Sequence, residues 1–464
     1  MKLLSFGKSA ETTWDLMDRW IRESEKILLK KLSRNDTSWA DDQSKHQAGV
    51  YIPRAIRESG FFPQLVARDD KPHIYQASCT TFWPQTGEQK ISGLRHYSNK
   101  GPETHLTVVP HDLFRGLSPA SWLFGGRLRQ PVGESHYWFV VIDSTSDDAE
   151  FLETALDIKS DFHHDILEPE ALLRTQALDK DLSEALIERI SDAIRRGTLL
   201  DLRESLSQIP STATLAKEAR AEFFKTERMA SLNPFKIESP GDALMRISRD
   251  YEYKIFKKYE LQRRAVEVVY ALATHTNLAT SVVLGFSDLD RIFLSASQQR
   301  KTRAGRSFEH HLASALKDGN IAFEEQAILG GRRPDFVLPD RRSMQRPSCR
   351  AYDDAVILSA KTTLRERWKQ ITHERFNCAI FLATVDDRVS SQSLADMRDM
   401  DITLVVPESL KSSKETNYAA SSNVISFRDF FHYELKTRRP SLILTGETTK
   451  KGTEPEEPSR LPLP

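Results

Sequence analysis

Cysteine is scarce: three among 464 residues, Cys79, Cys349 and Cys378, with no Cys-x-x-Cys spacing. An odd, widely spread set builds neither a disulfide framework nor a zinc knuckle, and a reducing compartment fits it best. No apolar run approaches the roughly 20 residues of a membrane span. The opening Met1-Lys2-Leu3-Leu4-Ser5-Phe6-Gly7 has no apolar core before charges resume, so a cytoplasmic protein away from membranes is expected. There is no Gly-rich phosphate loop and no internal repeat, so nucleotide-driven chemistry has no support. Net charge is missing too, since 66 Lys and Arg balance 66 Asp and Glu. That excludes a uniformly cationic coat and nothing more.

Locally the charges do not cancel. Residues 1–142 carry 19 basic against 15 acidic side chains, residues 143–170 carry 1 against 10, and residues 297–350 carry 11 against 6. Local basic patches, rather than totals, set the attraction to phosphates. The length implies two or three domains, each able to bury its own core. The first part reads mainly β, in short runs such as Val50-Tyr51-Ile52, Leu106-Thr107-Val108-Val109 and Tyr137-Trp138-Phe139-Val140-Val141-Ile142 between Gly, Pro and Asp clusters. Leu172, Leu173, Leu182, Leu186, Ile187 and Ile190 then recur at helical steps. The pattern restarts at Ile209-Pro210-Ser211-Thr212, stays helical to about residue 294, and alternates helix and strand over 306–446. The expected architecture is a mainly-β unit at 1–170, a helical connector at 171–208, an α/β unit with a mixed central sheet flanked by helices at 209–446, and a disordered tail at 447–464.

The strongest chemical signal is Arg332-Arg333-Pro334-Asp335-Phe336-Val337-Leu338, followed by Ala355-Val356-Ile357-Leu358-Ser359-Ala360-Lys361. Each reads as a strand with a charge at one end. Adjacent strand ends can bring a carboxylate and an ammonium to one point, as metal-assisted phosphodiester hydrolysis requires. The acid holds a divalent ion, and the lysine orients the nucleophile or stabilises developing charge. Such an ion takes one or two carboxylates. The PD-(D/E)XK nuclease pattern places the second acid two residues before the lysine, but Ser359 stands there. Downstream, the helical stretch Thr362 to Glu374 offers Glu374 as a relocated acid. Taken singly, Asp335 reads as a turn residue, Lys361 as a solvated strand end and Glu374 as a helix-surface acid; their order and spacing together carry the functional reading.

Pro-Asp, then Ser-Ala-Lys-Thr-Thr, then Arg-Glu-Arg-Trp-x-Gln and a late Glu resemble the catalytic domain of EcoRII-type restriction endonucleases. The resemblance implies catalytic roles for Asp335, Lys361 and Glu374, with Mg²⁺ held by Asp335 and Glu374. It extends upstream to Glu309, matching a further helix glutamate near the metal. Glu309 shares the apolar helical face of Leu312 and Leu316, so it needs a polar partner there.

Arg365, Glu366 and Arg367 match the family's readers; arginine pairs with the guanine edge and an acid accepts from cytosine N4. Thr363-Leu364-Arg365-Glu366 also fits a capping box, so Glu366 is equally a helix cap. Arg249 and Tyr253 match residues that pack an extruded nucleotide, a guanidinium and a phenol able to sandwich a base; the plainer alternative is a surface i, i+4 pair.

Lys31-Leu32-Ser33-Arg34-Asn35-Asp36-Thr37 and His46-Gln47-Ala48-Gly49-Val50-Tyr51-Ile52-Pro53 resemble the effector domain of the same enzymes, a DNA-binding pseudobarrel. One loop arm would hold Arg34, Asn35, Asp36, Lys45 and Gln47, and the second Lys90, Arg95, His96 and Tyr97. His46, His163-His164 and His310-His311 read as surface or packing residues. The function implied is cleavage of both DNA strands at a CCWGG or CCNGG site. It implies a homodimer, a second DNA site as effector, and a companion cytosine methyltransferase. Cleft occupation by the acidic stretch 143–170, as a phosphate mimic, is a further expectation. The rivals are a DNA-binding regulator with an inactive nuclease-like half, and a nicking or repair nuclease.

Overall fold

A computed structural model describes residues 13–42, 49–99, 101, 103–156, 158–173, 180–273, 277–329, 333–345, 347–364 and 377–444. Nine strands build the first sheet: β1 (Ser24–Lys31), β2 (Val50–Ile52), β3 (Val66–Ala67), β4 (Ile74–Trp83), β5 (Glu88–Tyr97), β6 (Thr104–Thr107), β7 (Trp122–Val132), β8 (Ser135–Ile142) and β9 (His164–Leu167). They run in the order β2-β6-β5-β4-β8-β7-β1-β9, with β3 on β4. All neighbours are antiparallel except β4 and β8. Successive side chains enter opposite cores: Leu28, Tyr137 and Phe139 join Trp39 and Phe61 on one face, while Ile27, Leu29 and Trp138 join Trp122 and Phe124 on the other. A strand covered on both faces is apolar at every position, which is why β8 was legible as a continuous run. The run expected at 106–109 stops at Thr107, because Val108 takes a φ of 58°, outside extended backbone. Gly126 is required by close approach, since a Cβ there would lie 2.2 Å from Ser24 Oγ and 2.4 Å from Trp138 Nε1.

Helices Lys180–Arg196 and Leu199–Ser205 occupy the connector. Their Leu186, Ala193 and Leu199 bury against Val266 of helix Glu252–Leu272, so this stretch is packed onto the second half rather than strung between the two. Helix Thr212–Glu227 opens on Ser211, whose Oγ accepts from the Thr214 N–H at 3.2 Å, the cap that Pro210-Ser211 announced.

The second sheet comprises β10 (Glu324–Glu325), β11 (Phe336–Leu338), β12 (Val356–Lys361), β13 (Ala379–Thr384), β14 (Ile402–Val406) and β15 (Val424–Ser426), in that order. β10 to β12 pair antiparallel and β12 to β15 parallel, so the sheet is mixed. Phe336, Leu358 and Ala360 face Phe308, Leu312 and Leu316 of the long helix Phe286–Asp318, while Val337 and Ile357 face Met344 and Cys378. Helical cover on a mixed sheet agrees with the expected α/β class. Among the described residues no helix is long and apolar enough to cross a membrane.

Candidate active site

The antiparallel register Phe336 to Leu358 sets the start of β11 beside the end of β12. Asp335 and Lys361 therefore meet. Asp335 Oδ2 accepts from the Ala360 backbone N–H and from Lys361 Nζ, both at 2.8 Å. Asp335 is buried and Lys361 is partly open to solvent; a carboxylate this desolvated needs such donors. Ser359 is buried inside β12.

Glu309 arrives from the long helix, one turn before fully buried Leu312. Burial first, then the charge of Asp335, pushes its carboxyl up to about 7. The polar partner it needed is Gln326, whose Nε2 donates to Glu309 Oε2 at 3.1 Å and to Asp335 Oδ1 at 3.4 Å. Gln326 was missed in the sequence. It sits in the β10–β11 connection and belongs to no motif; the only signal was that Glu309 demanded a partner.

Among the described residues no group of three or more His, Cys, Asp or Glu side chains forms a metal cage. Two acids drawn to one amide nonetheless suit an ion that takes few protein ligands and completes its shell with water and phosphate oxygens. Asp335 fits as one ligand and Glu309 is the second acid present. Glu374 lies outside the described residues, as do Arg365, Glu366 and Arg367. Just before them, the Leu364 N–H donates to buried Asp386 Oδ2 at 2.7 Å.

Arg249 lies in a π-helical turn, Ile247–Tyr251, which interrupts the register between helices Pro240–Arg246 and Glu252–Leu272. Such turns recur at functional sites. Its guanidinium is 4.0 Å from Asp387. The Tyr253 ring has Lys257 Nζ at 4.8 Å and the Arg303 guanidinium at 5.5 Å from its centroid, and its buried hydroxyl has no hydrogen-bond partner among the described residues. The two side chains thus have different neighbours in this state.

In the first half, Arg34 and Asn35 are exposed, but on helix Arg34–Asp41 rather than a loop arm. Asp36 departs from its expected role: it is 1% exposed. Its carboxylate accepts from Lys30 Nζ at 2.6 Å, the Ser33 N–H at 2.7 Å and the Tyr51 N–H at 2.6 Å. In this structure the buried acid joins the helix to β1 and β2, and its oxygens are turned to these donors rather than to the surface. Lys45, His46 and Gln47 lie outside the described residues. Lys90, Arg95, His96 and Tyr97 stand on β5, paired with β4 and partly with β6, so the expected second loop arm is a strand within the sheet. Arg95 is exposed, Lys90 is 3.3 Å from Glu88, and His96 Nδ1 is 2.9 Å from the Glu103 carbonyl oxygen.

The halves meet through charge. Lys31 Nζ and Asp387 Oδ2 form a buried pair at 3.0 Å. Although burial opposes it, Lys31, Arg249 and Arg388 hold the Asp387 carboxyl far below the usual range. Glu153 pairs with Arg388, and Ser160 donates to Asp250 from its N–H at 3.0 Å and its Oγ at 2.8 Å. His163 Nδ1 is 3.4 Å from Glu415, so this histidine is more than a surface residue. Among the described residues, the acidic stretch 143–170 meets the second half at Arg388, Asp250 and Glu415, and its acids are not paired with Lys361.

Residues 270–431 match the family model described as EcoRII C terminal. Over 407 residues the chain is 26% identical to the type II restriction enzyme EcoRII of Escherichia coli, covering 83% of this chain and 88% of that enzyme. The type II restriction enzyme SsoII of Shigella sonnei is 28% identical over 158 residues, 32% of this chain and 50% of that enzyme. Among solved structures, metal-depleted Ecl18kI in complex with uncleaved, modified DNA aligns at 21% identity with a TM-score of 0.44, covering 54% of this chain and 86% of that one. Glu309, Asp335 and Lys361 fall inside the matched span.

Proposed function

From the match of residues 270–431 to the EcoRII C-terminal model and the chain's similarity to type II restriction enzymes, we propose that this protein is a Mg²⁺-dependent restriction endonuclease cutting both strands of DNA at a short G·C-bounded site of the CCWGG or CCNGG class. The observation that carries this is the pairing of Asp335 and Lys361 at adjoining strand ends, joined through Gln326 to Glu309 of the long helix by bonds of 2.8 to 3.4 Å. A bound divalent ion supplies polarisation of the phosphate and of the attacking water. Asp335, with Glu374, would hold that ion. Lys361 presents its ammonium to the nucleophile or to charge developing on phosphate oxygens, and the Ala360 N–H fixes the orientation of Asp335. Glu309 adds the helix-borne acid.

Arg365, Glu366 and Arg367 read the base pairs, and Arg249 with Tyr253 receives a nucleotide turned out of the duplex. For Arg249 this requires a guanidinium freed from Asp387. Residues 1–170 bind a second DNA copy as a pseudobarrel effector domain, using exposed Arg34, Asn35 and Arg95 with Lys45, Gln47, Lys90 and His96. Effector binding stimulates by favouring a state in which the first half has left the second. One centre cuts one strand, so two copies act on a near-palindromic site, and a companion cytosine methyltransferase protects the host's own sites.

The test is plasmid cleavage with Mg²⁺ by the wild type and by Lys361→Ala. Wild type is expected to give linear fragments with defined ends, and the variant to lose about 100-fold or more in rate while still binding the same fragments. Intact plasmid from both, with specific binding retained, would instead identify a DNA-binding regulator. Nicked circles from a monomer would identify a nicking or repair nuclease.

A further inference from the structure

Among the described residues, Gln326 is a neutral side chain hydrogen-bonded to both Glu309 and Asp335. Its Nε2 reaches Glu309 Oε2 at 3.1 Å and Asp335 Oδ1 at 3.4 Å. An amide N–H₂ carries its partial positive charge on the hydrogens, so the group stands where the chemistry of two facing carboxylates calls for a cation. We propose that Gln326 is an internal stand-in for the divalent ion: it keeps the two acids together while no ion is bound, and must withdraw for one to enter. This rests on the nuclease reading and adds to it a residue that sets metal affinity.

The backbone supports a dedicated placement. Gln326 holds a φ of 53°, a conformation that side-chain-bearing residues avoid and that clusters at functional sites. Both of its peptide groups are tied down: its N–H donates to the Asp335 carbonyl at 2.9 Å, and its own carbonyl accepts from Arg333 Nε at 3.1 Å. Asp335 thus anchors the backbone of Gln326 as well as its side chain, and the amide cannot drift from the acids without a rotamer change. An incoming ion must displace both hydrogen bonds that the Gln326 amide donates. It gains most when it brings phosphate oxygens of its own, so the device favours ion binding together with DNA over ion binding to the free protein.

The experiment is a Mn²⁺ titration of the full chain without DNA, following free Mn²⁺ by its paramagnetic resonance. Gln326→Met keeps the side-chain length without the amide, and Gln326→Leu provides a second shape. Asp335→Asn reports ion binding elsewhere. Both Gln326 variants are expected to bind Mn²⁺ about tenfold more tightly than wild type, the equivalent of hydrogen bonds to charged groups no longer lost on binding. Equal or weaker binding by folded variants would overturn the stand-in while leaving the nuclease reading intact. If neither wild type nor variants bind more Mn²⁺ than Asp335→Asn, the metal centre falls and this proposal with it.

Discussion

Glu252 is a fully buried carboxylate shared by three side chains of the long helix: Arg303 Nη1 at 2.7 Å, His311 Nε2 at 2.9 Å, and the Ser307 hydroxyl. Residues 303, 307 and 311 are four apart and share a helical face, so one acid fixes the rotation of the helix that carries Glu309. Burial raises the Glu252 carboxyl, yet His311 and Arg303 outweigh it and hold the group below its ordinary value. Removing it leaves Arg303 buried without its charge partner. Glu252→Ala should therefore cost about 3 to 5 kcal/mol, read as a shift in urea midpoint, with Glu252→Gln losing less; a loss under about 1 kcal/mol would refute the argument. Legibility at this scale followed local pattern rather than the range of the contacts. Asp335 and Lys361 lie 26 residues apart yet could be read, because each is a charge at the end of an apolar strand run. Glu252 and Gln326 could not, since neither belongs to a local pattern and each finds its partner on the long helix. Asp36 was read as a DNA contact because nothing local shows that Tyr51, 15 residues on, consumes its second oxygen.

Elements were legible wherever burial follows one period. β8 and β12 are covered on both faces and stand out as apolar runs, and Ser211 marks the start of its helix. The π turn at Ile247–Tyr251 was not legible, because it depends on packing between helices and leaves no spacing signature. Helix Leu278–Leu284 and the first turns of the long helix show the opposite of burial: Val283, Leu284, Phe286, Phe293 and Leu294 are all exposed, Phe286 at 66% and Phe293 at 60%. Phe286 and Phe293 are seven residues apart and lie on one side of the helix. Apolar groups gathered like this mark an interaction surface, and a nuclease with one centre per chain needs a second copy. The same helix carries Glu309 further on, so pairing through its first turns would also set the spacing of two catalytic centres. On the proposed function, which requires two copies, wild type should sediment as a dimer and Phe286→Glu combined with Phe293→Glu as a monomer that nicks DNA instead of cutting both strands; a variant that sediments as wild type places the interface elsewhere.

For the whole molecule, the balanced charge resolves into a docked arrangement with contacts of both signs: Glu153 of the first half meets Arg388, while Asp387 and Glu415 of the second half meet Lys31 and His163. Glu153 on Arg388 and Lys31 on Asp387 are separated by 235 and 356 residues, and no local pattern could pair them. One such contact titrates. The hydrogen bond to Glu415 raises the His163 pKa, with burial and Lys31 opposing and Asp161 assisting. Burial works against Glu415, but His163 and Ser413 draw it down to about 2. A histidine whose folded pKa is raised contributes fully below its unfolded value of 6.5 and loses the contribution as pH climbs through the folded value. The Glu415 contribution is present above its unfolded value of 4.5 and is lost as pH falls toward about 2. Their attraction therefore peaks in the mildly acidic range and fades on the alkaline side. Because His163 remains 60% exposed, salt should screen it. Denaturant midpoints measured at low salt from mildly acidic to alkaline pH should fall more steeply for wild type than for His163→Gln, the two profiles converging at the alkaline end. Parallel profiles would remove this pair from the docking interface and leave Lys31–Asp387, Glu153–Arg388 and Ser160–Asp250 among the contacts that hold the halves together.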